Sequence, residues 1–382
     1  MSRARSILIL VVVGLLALAL AACGASSAAA PDKVYIGVTG PFTGDNAEYG
    51  RIWKQGFQLA LDEINKAGGV RGKPVELIYE DSQSDPKQTP PIAQKFVADK
   101  RVLAVIGDFS SPASMAASPI YNQAGLVQLG ITNSHPNFTD TGEYIFGTSR
   151  SQLDDAPQLA EYTVKDLGFK RLAVFHLNTD WGKVTQDLFI KKAKELGAEI
   201  VDVEAYLPNE KDFRSALTKA RDAKPDALVL VSYYNDGSLI ARQAQDVNLN
   251  VPKVANGACY SPKFIELGGK AVDGVYTTSG FFPDEPRPEV QAFVKKFQAT
   301  YKETPDSFAA QAYDGVKVLA AAIEKAGFDR KAIREAMVKS DVPSVAYGKI
   351  QFDQNRRVIS GPMTRLQVAG DKWALYSKQA SR

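Results

Sequence analysis

One segment of the chain, Val102–Ser118, combines the features of a buried strand, a tight turn and the start of a helix. Its apolar run ends at Gly107, and Ser110 and Ser111 follow at the point where a helix would begin. Such a junction presents free backbone N–H groups and the positive end of a helix dipole, which together attract an anion such as a carboxylate. The same serines could instead only cap the helix. This segment alone leaves both roles open.

The same order of strand, turn and helix recurs along most of the chain. It begins with a strand near Val34, a Gly-rich loop over Gly40–Gly50 and a helix over Ile52–Ala67. Such alternation predicts parallel sheets covered by helices on both faces. The units are too many for one open sheet, and the pattern breaks near Thr148–Leu153, before a segment Leu159–Leu167 that belongs to a predicted helix. We therefore predict an α/β fold with two doubly wound parallel-sheet lobes.

The segments that follow the strands share a chemical character. In open α/β sheets, ligands bind beyond the carboxyl ends of the strands. The segments at those ends are rich in small, hydroxyl and aromatic residues and poor in charge: GPFTG, GDFSS, ITNSH, HLNTDWG, SYYND and ANGACYS. A cleft of this composition suits a small polar or amphipathic molecule that is bound without being transformed.

Residues that could carry catalysis are scarce. The two histidines, His135 and His176, have no cysteine or acidic neighbours at metal-ligand spacing. The sequence contains no dinucleotide or P-loop fingerprint and no G-x-S-x-G elbow. Cys259 has no evident histidine partner, and a lone thiol of this kind is more often inert. We therefore predict a binding protein that is not an enzyme and that uses no cofactor or metal.

The N-terminal residues have the layout of an export signal. A short positive region precedes an apolar run over residues 7–20, which is short for a membrane span. The sequence LAAC, which ends at Cys23, resembles a bacterial lipobox, so we predict a signal peptide over 1–22 and a tether over 23–33 that is lipid-anchored at Cys23. An ordinary secretory signal is the alternative. The formal charge of +3 and the lack of basic runs argue against a nucleic-acid partner.

Several segments occur in an order that is typical of one family. They are GPFTGDNAEYG near the start, VIGDFSS before a helix, the loop ITNSHP, TDWGK, and FAAQAYDGV at Phe308–Val316. Together they resemble the leucine/isoleucine/valine-type substrate-binding proteins of ABC importers. The resemblance extends over nearly the whole mature chain, and the order and spacing of the segments make it specific.

The resemblance implies a type I periplasmic binding protein fold with a three-segment hinge. Lobe I would cover 34–151 and 282–361, and lobe II would cover 152–281 and 362–382. It also implies that a monomer outside the cytoplasm closes on a small ligand and delivers it to permease subunits in the membrane. A sensor that presents its ligand to a receptor is the alternative use of the same two lobes.

The resemblance also implies a set of ligand-binding residues. Hydroxyl groups of lobe I would hold a ligand carboxylate, Trp181 would close over the ligand from lobe II, and Tyr49 would approach the ligand side chain. Plain packing roles are the alternative for Tyr49 and Trp181. Ser110, Tyr233, Tyr234 and Gly257 lie in the same segments after the strands. With them, the predicted set is Tyr49, Ser110, Ser111, Thr132, Asn133, Ser134, Trp181, Tyr233, Tyr234 and Gly257.

Two positions depart from the family pattern. Amino-acid binders of this family carry an acidic residue for the ligand ammonium where this chain has Gly257, and an arginine often follows Phe146, where this chain has Gly147. An ammonium buried without a carboxylate would cost several kcal/mol. Asp236 or Asp180 could substitute, although Asp236 could as easily cap a helix. We therefore expect a carboxylate-bearing or amide ligand with a hydrophobic or aromatic body, such as a branched-chain amino acid or an aromatic acid.

Overall fold

A computed structural model describes residues 32–377. The predicted signal peptide, Cys23 and nearly all of the tether lie outside the described residues, as does the segment 378–382. From Lys33 onward the chain forms one compact unit. Within the described part of the chain, no helix is both long and apolar enough to cross a bilayer.

The first part of the chain forms a five-stranded parallel sheet. Its strands are β1 (Val34–Gly40), β2 (Val75–Asp81), β3 (Val102–Ile106), β4 (Val127–Gly130) and β5 (Ile145–Gly147). Three of the helices between them are α1 (Ala47–Lys66), α2 (Thr89–Ala98) and α3 (Ser111–Gln123). Every residue of β3 is buried, because helices cover both faces of the sheet. That coverage explains why its sequence is a continuous apolar run.

The second part of the chain forms a larger sheet in the same manner. Its parallel strands are β6 (Arg171–Leu177), β7 (Glu199–Tyr206), β8 (Ala227–Val231), β9 (Lys253–Ala255) and β10 (Tyr276–Ser279). The helices in this part are α4 (Gln152–Glu161), α5 (Asp180–Glu195), α6 (Arg214–Asp222), α7 (Tyr234–Asp246) and α8 (Pro262–Gly268). The predicted α/β fold with two parallel sheets is thereby confirmed.

The two sheets repeat one strand order. The first reads β2-β1-β3-β4-β5, and the parallel part of the second reads β7-β6-β8-β9-β10. In this order the chain reverses its direction of travel between the first and third strands of each set. A doubly wound sheet binds its ligand at that switch point, outside the carboxyl ends of the strands. The segments after β1, β3, β6 and β8 are therefore the expected walls of a binding site.

The C-terminal part of the chain returns to the first sheet before it rejoins the second. Helices α9 (Pro288–Tyr301), α10 (Ser307–Ala326) and α11 (Arg330–Val338) precede a hairpin of β11 (Val342–Ser344) and β12 (Gly348–Ile350). Helix α10 packs so closely on α1 that a Cβ atom at Gly56 would lie 2.3 Å from the Ala309 carbonyl oxygen. Strands β13 (Thr364–Ala369) and β14 (Lys372–Leu375) then extend the second sheet in antiparallel fashion.

Three segments consequently pass between the two sheets: one after β5, one after β10 and one before β13. This topology is the one that a three-segment hinge requires. The residue boundaries of lobes I and II stay a prediction.

One helix boundary predicted from the sequence is wrong. Helix α1 begins at Ala47, so Tyr49 lies in its first turn and not in the preceding loop. The segment Leu159–Leu167, which the sequence assigns to a helix, lies in one that begins at Gln152 and continues after Glu161 as a π-helical turn. Ser151 caps this helix, because its hydroxyl accepts the Leu153 amide at 3.2 Å. The apolar periodicity alone did not reveal this cap.

Candidate functional site

A cavity of about 130 Å³ lies where the carboxyl ends of the two sheets face each other. The segments after β3 and β4 line it from the first sheet, and those after β6, β8 and β9 line it from the second. Its hydroxyl side chains include Ser110, Ser111, Thr132 and Ser134. Its aromatic side chains are Phe109, Trp181, Tyr233, Phe281, Phe308 and Tyr347.

The hydroxyl groups differ in whether their single proton is available to donate a hydrogen bond to a ligand. Ser110 caps α3, because its oxygen accepts the Ala113 amide at 3.3 Å while its proton goes to the Ser84 carbonyl. The Thr132 hydroxyl donates to the Phe109 carbonyl at 2.8 Å. Since a hydroxyl carries one proton, neither group can donate to a ligand without giving up its present bond.

Ser111 and Ser134 retain donors that face the cavity. The Ser111 hydroxyl accepts the His135 amide at 3.3 Å, and the Ser134 hydroxyl accepts the indole N–H of Trp181 at 3.1 Å. Both hydroxyl protons therefore remain available. The Ser111 amide has no partner among the described residues, and Pro112 has no N–H at all. Two of these donors lie at the start of α3, near the positive end of its dipole, and the Ser134 hydroxyl adds a third from the loop after β4. Together they form a suitable site for a carboxylate.

An aromatic wall forms another part of the cavity lining. Trp181 and Tyr233 stack with ring centroids 5.0 Å apart, and Phe109 meets Tyr233 edge-on at 5.4 Å. Phe308, which comes from α10, lies 6.0 Å from the Phe109 ring. These rings present apolar faces from four different elements. The wall therefore suits an aliphatic or aromatic ligand side chain.

Tyr49 lies behind this wall and not on the cavity surface. Its ring stacks on Phe109 at a centroid distance of 3.9 Å, and only 1% of the residue is exposed. Its hydroxyl donates to the Ala258 carbonyl at 2.8 Å and accepts the Tyr234 amide at 3.1 Å. Tyr49 thus ties the side of the first sheet to two loops of the second.

Asn133 and Tyr234 are also placed away from the cavity surface. The side-chain NH₂ group of Asn133 donates to the Ser114 hydroxyl at 2.8 Å. The main-chain carbonyl of Asn133 accepts from the Arg357 guanidinium at 2.9 Å. The Tyr234 hydroxyl donates to the Asp45 carbonyl at 2.8 Å. Both residues therefore shape the loops that carry the lining residues, while the other seven predicted site residues line the cavity directly.

The two acidic residues considered as ammonium acceptors do not line the cavity. Asp180 is exposed, and Asp236 is buried in the first turn of α7. Gly257 does line the cavity, but it contributes no side chain there. Among the described lining residues, the formal charges are those of Arg150 and Asp155, whose Nε and Oδ1 atoms are 2.6 Å apart.

Several lining residues were missed by the sequence analysis. Arg150, Gln152 and Asp155 come from the segment SRSQLDD, in which the helix-capping Ser151 was the available signal. Phe308 and Gln311 belong to the FAAQAYDGV segment, where only their place in the family pattern could have indicated a site. Met363, in the segment that returns to the second sheet before β13, also lines the cavity, and nothing in its local sequence indicated this.

In the described part of the chain, the groups considered for nucleophilic or metal chemistry are not arranged for it. Cys259 is buried and unpaired, and burial raises the pKa of its thiol well above the ordinary value. A thiol of this kind is a poor nucleophile, because the thiolate form is disfavoured. Over residues 32–377, no three His, Cys, Asp or Glu side chains are grouped so that they could hold a metal ion.

Asp236 generates a prediction about pH. Burial raises its pKa from the usual 3.8 to about 7, although Lys211 opposes the shift. The folded protein therefore binds the Asp236 proton more tightly than the unfolded chain does. Its free energy of unfolding falls as the pH rises from the usual pKa of 3.8 toward about 7. In Asp236→Asn the site no longer titrates. We expect the variant to gain stability relative to the wild type by up to roughly 1.4 kcal/mol per pH unit in that window.

Denaturant unfolding of both proteins at about pH 4 and about pH 8 measures this difference. Asp246→Asn, at an exposed position of the same helix, is the matched control. A stability difference between Asp236→Asn and the wild type that is the same at both pH values would contradict the assignment.

The chain is similar to known proteins over most of its length. Residues 33–372 match the family described as periplasmic binding protein. The Leu/Ile/Val-binding protein homolog 1 of Brucella suis is 31% identical over 342 residues, which are 88% of this chain and 90% of that protein. The amino acid binding protein of Pseudomonas aeruginosa is 29% identical over 348 residues, which are 89% of this chain and 91% of that protein.

Solved structures share the fold over most of the chain. A leucine-binding protein from Thermotoga maritima is 28% identical with a TM-score of 0.83, over 90% of this chain and 98% of that one. A branched-chain amino acid substrate-binding protein from Streptococcus pneumoniae, solved with isoleucine, is 27% identical with a TM-score of 0.82, over 90% of this chain and all of that one. The predicted type I fold is confirmed by these neighbours. The chain therefore belongs to the periplasmic binding protein family, and it is a ligand-binding protein and not an enzyme.

Proposed function

We propose that this protein is the extracytoplasmic substrate-binding subunit of an ABC importer, which closes as a monomer on a small carboxylate ligand and delivers it to a permease. One observation carries the proposal. A small cavity between the carboxyl ends of two sheets is lined both by N–H and O–H donors and by a wall of aromatic rings. The names of its relatives, among them Leu/Ile/Val-binding proteins, support the same function.

Binding and closure are coupled through contacts that cross the cavity. The Trp181 indole, on the side of the second sheet, donates to Ser134 on the side of the first sheet. Tyr49 makes the corresponding contact with the Ala258 carbonyl. A ligand that is held by Ser111 and covered by Trp181 adds further contacts of this kind. Such a ligand binds the closed form better than the open one, and it therefore shifts the population toward closure.

The ligand that we favour is a branched-chain amino acid. Its carboxylate matches the donors of Ser111 and Ser134, and its short aliphatic side chain fits a cavity of about 130 Å³ beside Trp181 and Phe109. The density of aromatic rings favours a second candidate, an aromatic acid, because ring-to-ring contacts contribute beyond simple area burial.

Isothermal titration calorimetry of the purified protein with leucine, isoleucine, valine, phenylalanine and benzoate separates these candidates. We expect one ligand per chain and the tightest binding for a branched-chain amino acid, since its side chain is apolar and compact. Benzoate binding without leucine binding would favour the aromatic acid. Binding of none of the five would contradict the proposed ligand class.

Ser111→Ala tests the carboxylate site. The variant loses one hydroxyl donor to a charged group, a bond worth about 1.5–3 kcal/mol, so we expect roughly 10- to 100-fold weaker binding of every carboxylate ligand in calorimetry. Ser118→Ala, further along the same helix and outside the cavity lining, is the matched control. It loses a buried hydroxyl that donates to the Ser114 carbonyl at 2.9 Å and to the Gln128 side chain at 2.7 Å, so it should cost about 1 kcal/mol of stability and leave affinity nearly unchanged. Weakening of a single ligand only would contradict the shared role of Ser111.

We also propose that Cys23 carries a lipid that anchors the protein to the membrane. The sequence LAAC, directly after an apolar run, supports this anchor. In cells that express the full chain, Cys23→Ala should move the protein from the membrane fraction to the soluble fraction and abolish labelling by a radioactive fatty acid. Cys259→Ala serves as the control, because that thiol is buried. Unchanged labelling of Cys23→Ala would exclude this site of lipidation.

A further inference from the structure

We propose that the first turn of α4 receives the ammonium group of an amino-acid ligand, through the carbonyl oxygen Oε1 of Gln152 and the carboxylate of Asp155. The inference rests on the proposed function, and it assigns a new role to residues that neither the sequence pattern nor the resemblance singled out. In this chain, Gln152 and Asp155 would take the place of the acidic residue that binds the ammonium in the family pattern, where this chain has Gly257.

The Gln152 side chain is held in one orientation by its NH₂ group. That group donates to the Trp181 carbonyl at 2.7 Å and to the Thr185 hydroxyl. The Thr185 hydroxyl has already given its own proton to the Trp181 carbonyl at 2.8 Å, so it can only accept. Both partners are thus acceptors, and the NH₂ group must point toward them. The side-chain carbonyl oxygen of Gln152 therefore points away from the Trp181 carbonyl and the Thr185 hydroxyl.

This oxygen is buried and has no hydrogen-bond partner within the described structure. Gln152 as a whole is 2% exposed and lines the cavity. A buried acceptor without a donor is unfavourable, because it has lost its water without gaining a bond. A ligand that brings an N–H donor to this oxygen removes that penalty, whereas a ligand without one leaves it in place.

Gln152 also lies next to the carboxylate site. Its main-chain amide donates to the main-chain oxygen of Ser134 at 2.9 Å, and the Ser134 hydroxyl is one of the carboxylate donors. An α-amino acid bears its ammonium and carboxylate groups on one carbon atom. The acceptor for the ammonium must therefore be adjacent to the donors for the carboxylate. Gln152 satisfies this requirement, whereas Asp180 and Asp236 do not line the cavity.

Asp155 follows Gln152 by three residues, so both side chains lie on one face of the helix. Asp155 lines the cavity, and its side chain keeps 29% of its accessible surface although one oxygen is paired with Arg150. Burial raises the pKa of Asp155 to about 6, and Arg150 opposes this shift, so the carboxylate is mostly ionised at neutral pH. The pair gives the cavity wall no net formal charge, which matches a zwitterionic ligand.

The experiment compares ligands that differ only in the amino group. Leucine is paired with 4-methylpentanoate, and phenylalanine with 3-phenylpropanoate, and calorimetry gives the affinity ratio within each pair. For the wild type we expect the amino acid to bind at least about 10-fold more tightly in one of the pairs. In Gln152→Leu and in Asp155→Asn this ratio should fall by about 10-fold or more, because each variant removes an acceptor of the ammonium.

Gln158→Leu, on the same helix, is the matched control, since Gln158 does not line this cavity and accepts instead from the Met363 amide at 2.9 Å. Its ratio should equal that of the wild type. Damage to folding or closure weakens both members of a pair and leaves the ratio unchanged. Equal losses for both members in Gln152→Leu and Asp155→Asn would overturn the inference while the proposed function stands. A wild type that binds the desamino acids as tightly as the amino acids would overturn it as well. A wild type that binds none of the four, nor isoleucine, valine or benzoate, would overturn both proposals.

Discussion

Parallel pairing of strands is the constraint from which the rest of this structure follows. A parallel strand cannot return through a tight turn, so the chain must cross over the sheet, in most cases through a helix, before the next strand begins. Both faces of each sheet are then covered, which makes strands such as β3 and β8 apolar at every position. All carboxyl ends in one sheet also meet at a single edge. Because the two sheets share one strand order, the two edges can enclose a site between them.

The chemistry of that site depends on how its few protons are already used. Four hydroxyl side chains of the cavity lining follow β3 and β4, and they look equivalent in the sequence. In the structure, Ser110 and Thr132 donate to main-chain carbonyls, whereas Ser111 and Ser134 accept bonds and keep their protons. The same reasoning orients the Gln152 amide, since the groups around its NH₂ can only accept. Whether a group in this cavity can donate to a ligand or accept from it therefore depends on the hydrogen bonds that it already makes, and not on its residue type.

The aromatic residues divide into a wall and its support in a similar way. Tyr49, Trp181, Tyr233 and Tyr234 all belong to segments at the carboxyl edges of the sheets, and all four are buried. Trp181 and Tyr233 face the cavity, whereas Tyr49 stands behind Phe109 and bridges to Ala258. The hydroxyl of Tyr49 therefore contributes to closure and not to ligand contact. Substitution at such a residue would affect the closed conformation directly and the ligand only through it.

The sequence by itself determined the class of fold, the two repeated sets of strands and helices, and the segments that reach the binding edge. These features follow from the periodicity of apolar residues and from the Gly and Ser residues that end strands and begin helices, which are local properties of the sequence. Seven of the ten predicted site residues line the cavity for this reason. Only the tertiary structure decided that Asp155 lines the cavity while Asp236 and Asp180 do not, and that Phe308 joins the aromatic wall from α10. The physical reason is that a side chain's direction and its hydrogen-bond partners depend on residues far away in the chain, which no local pattern can specify.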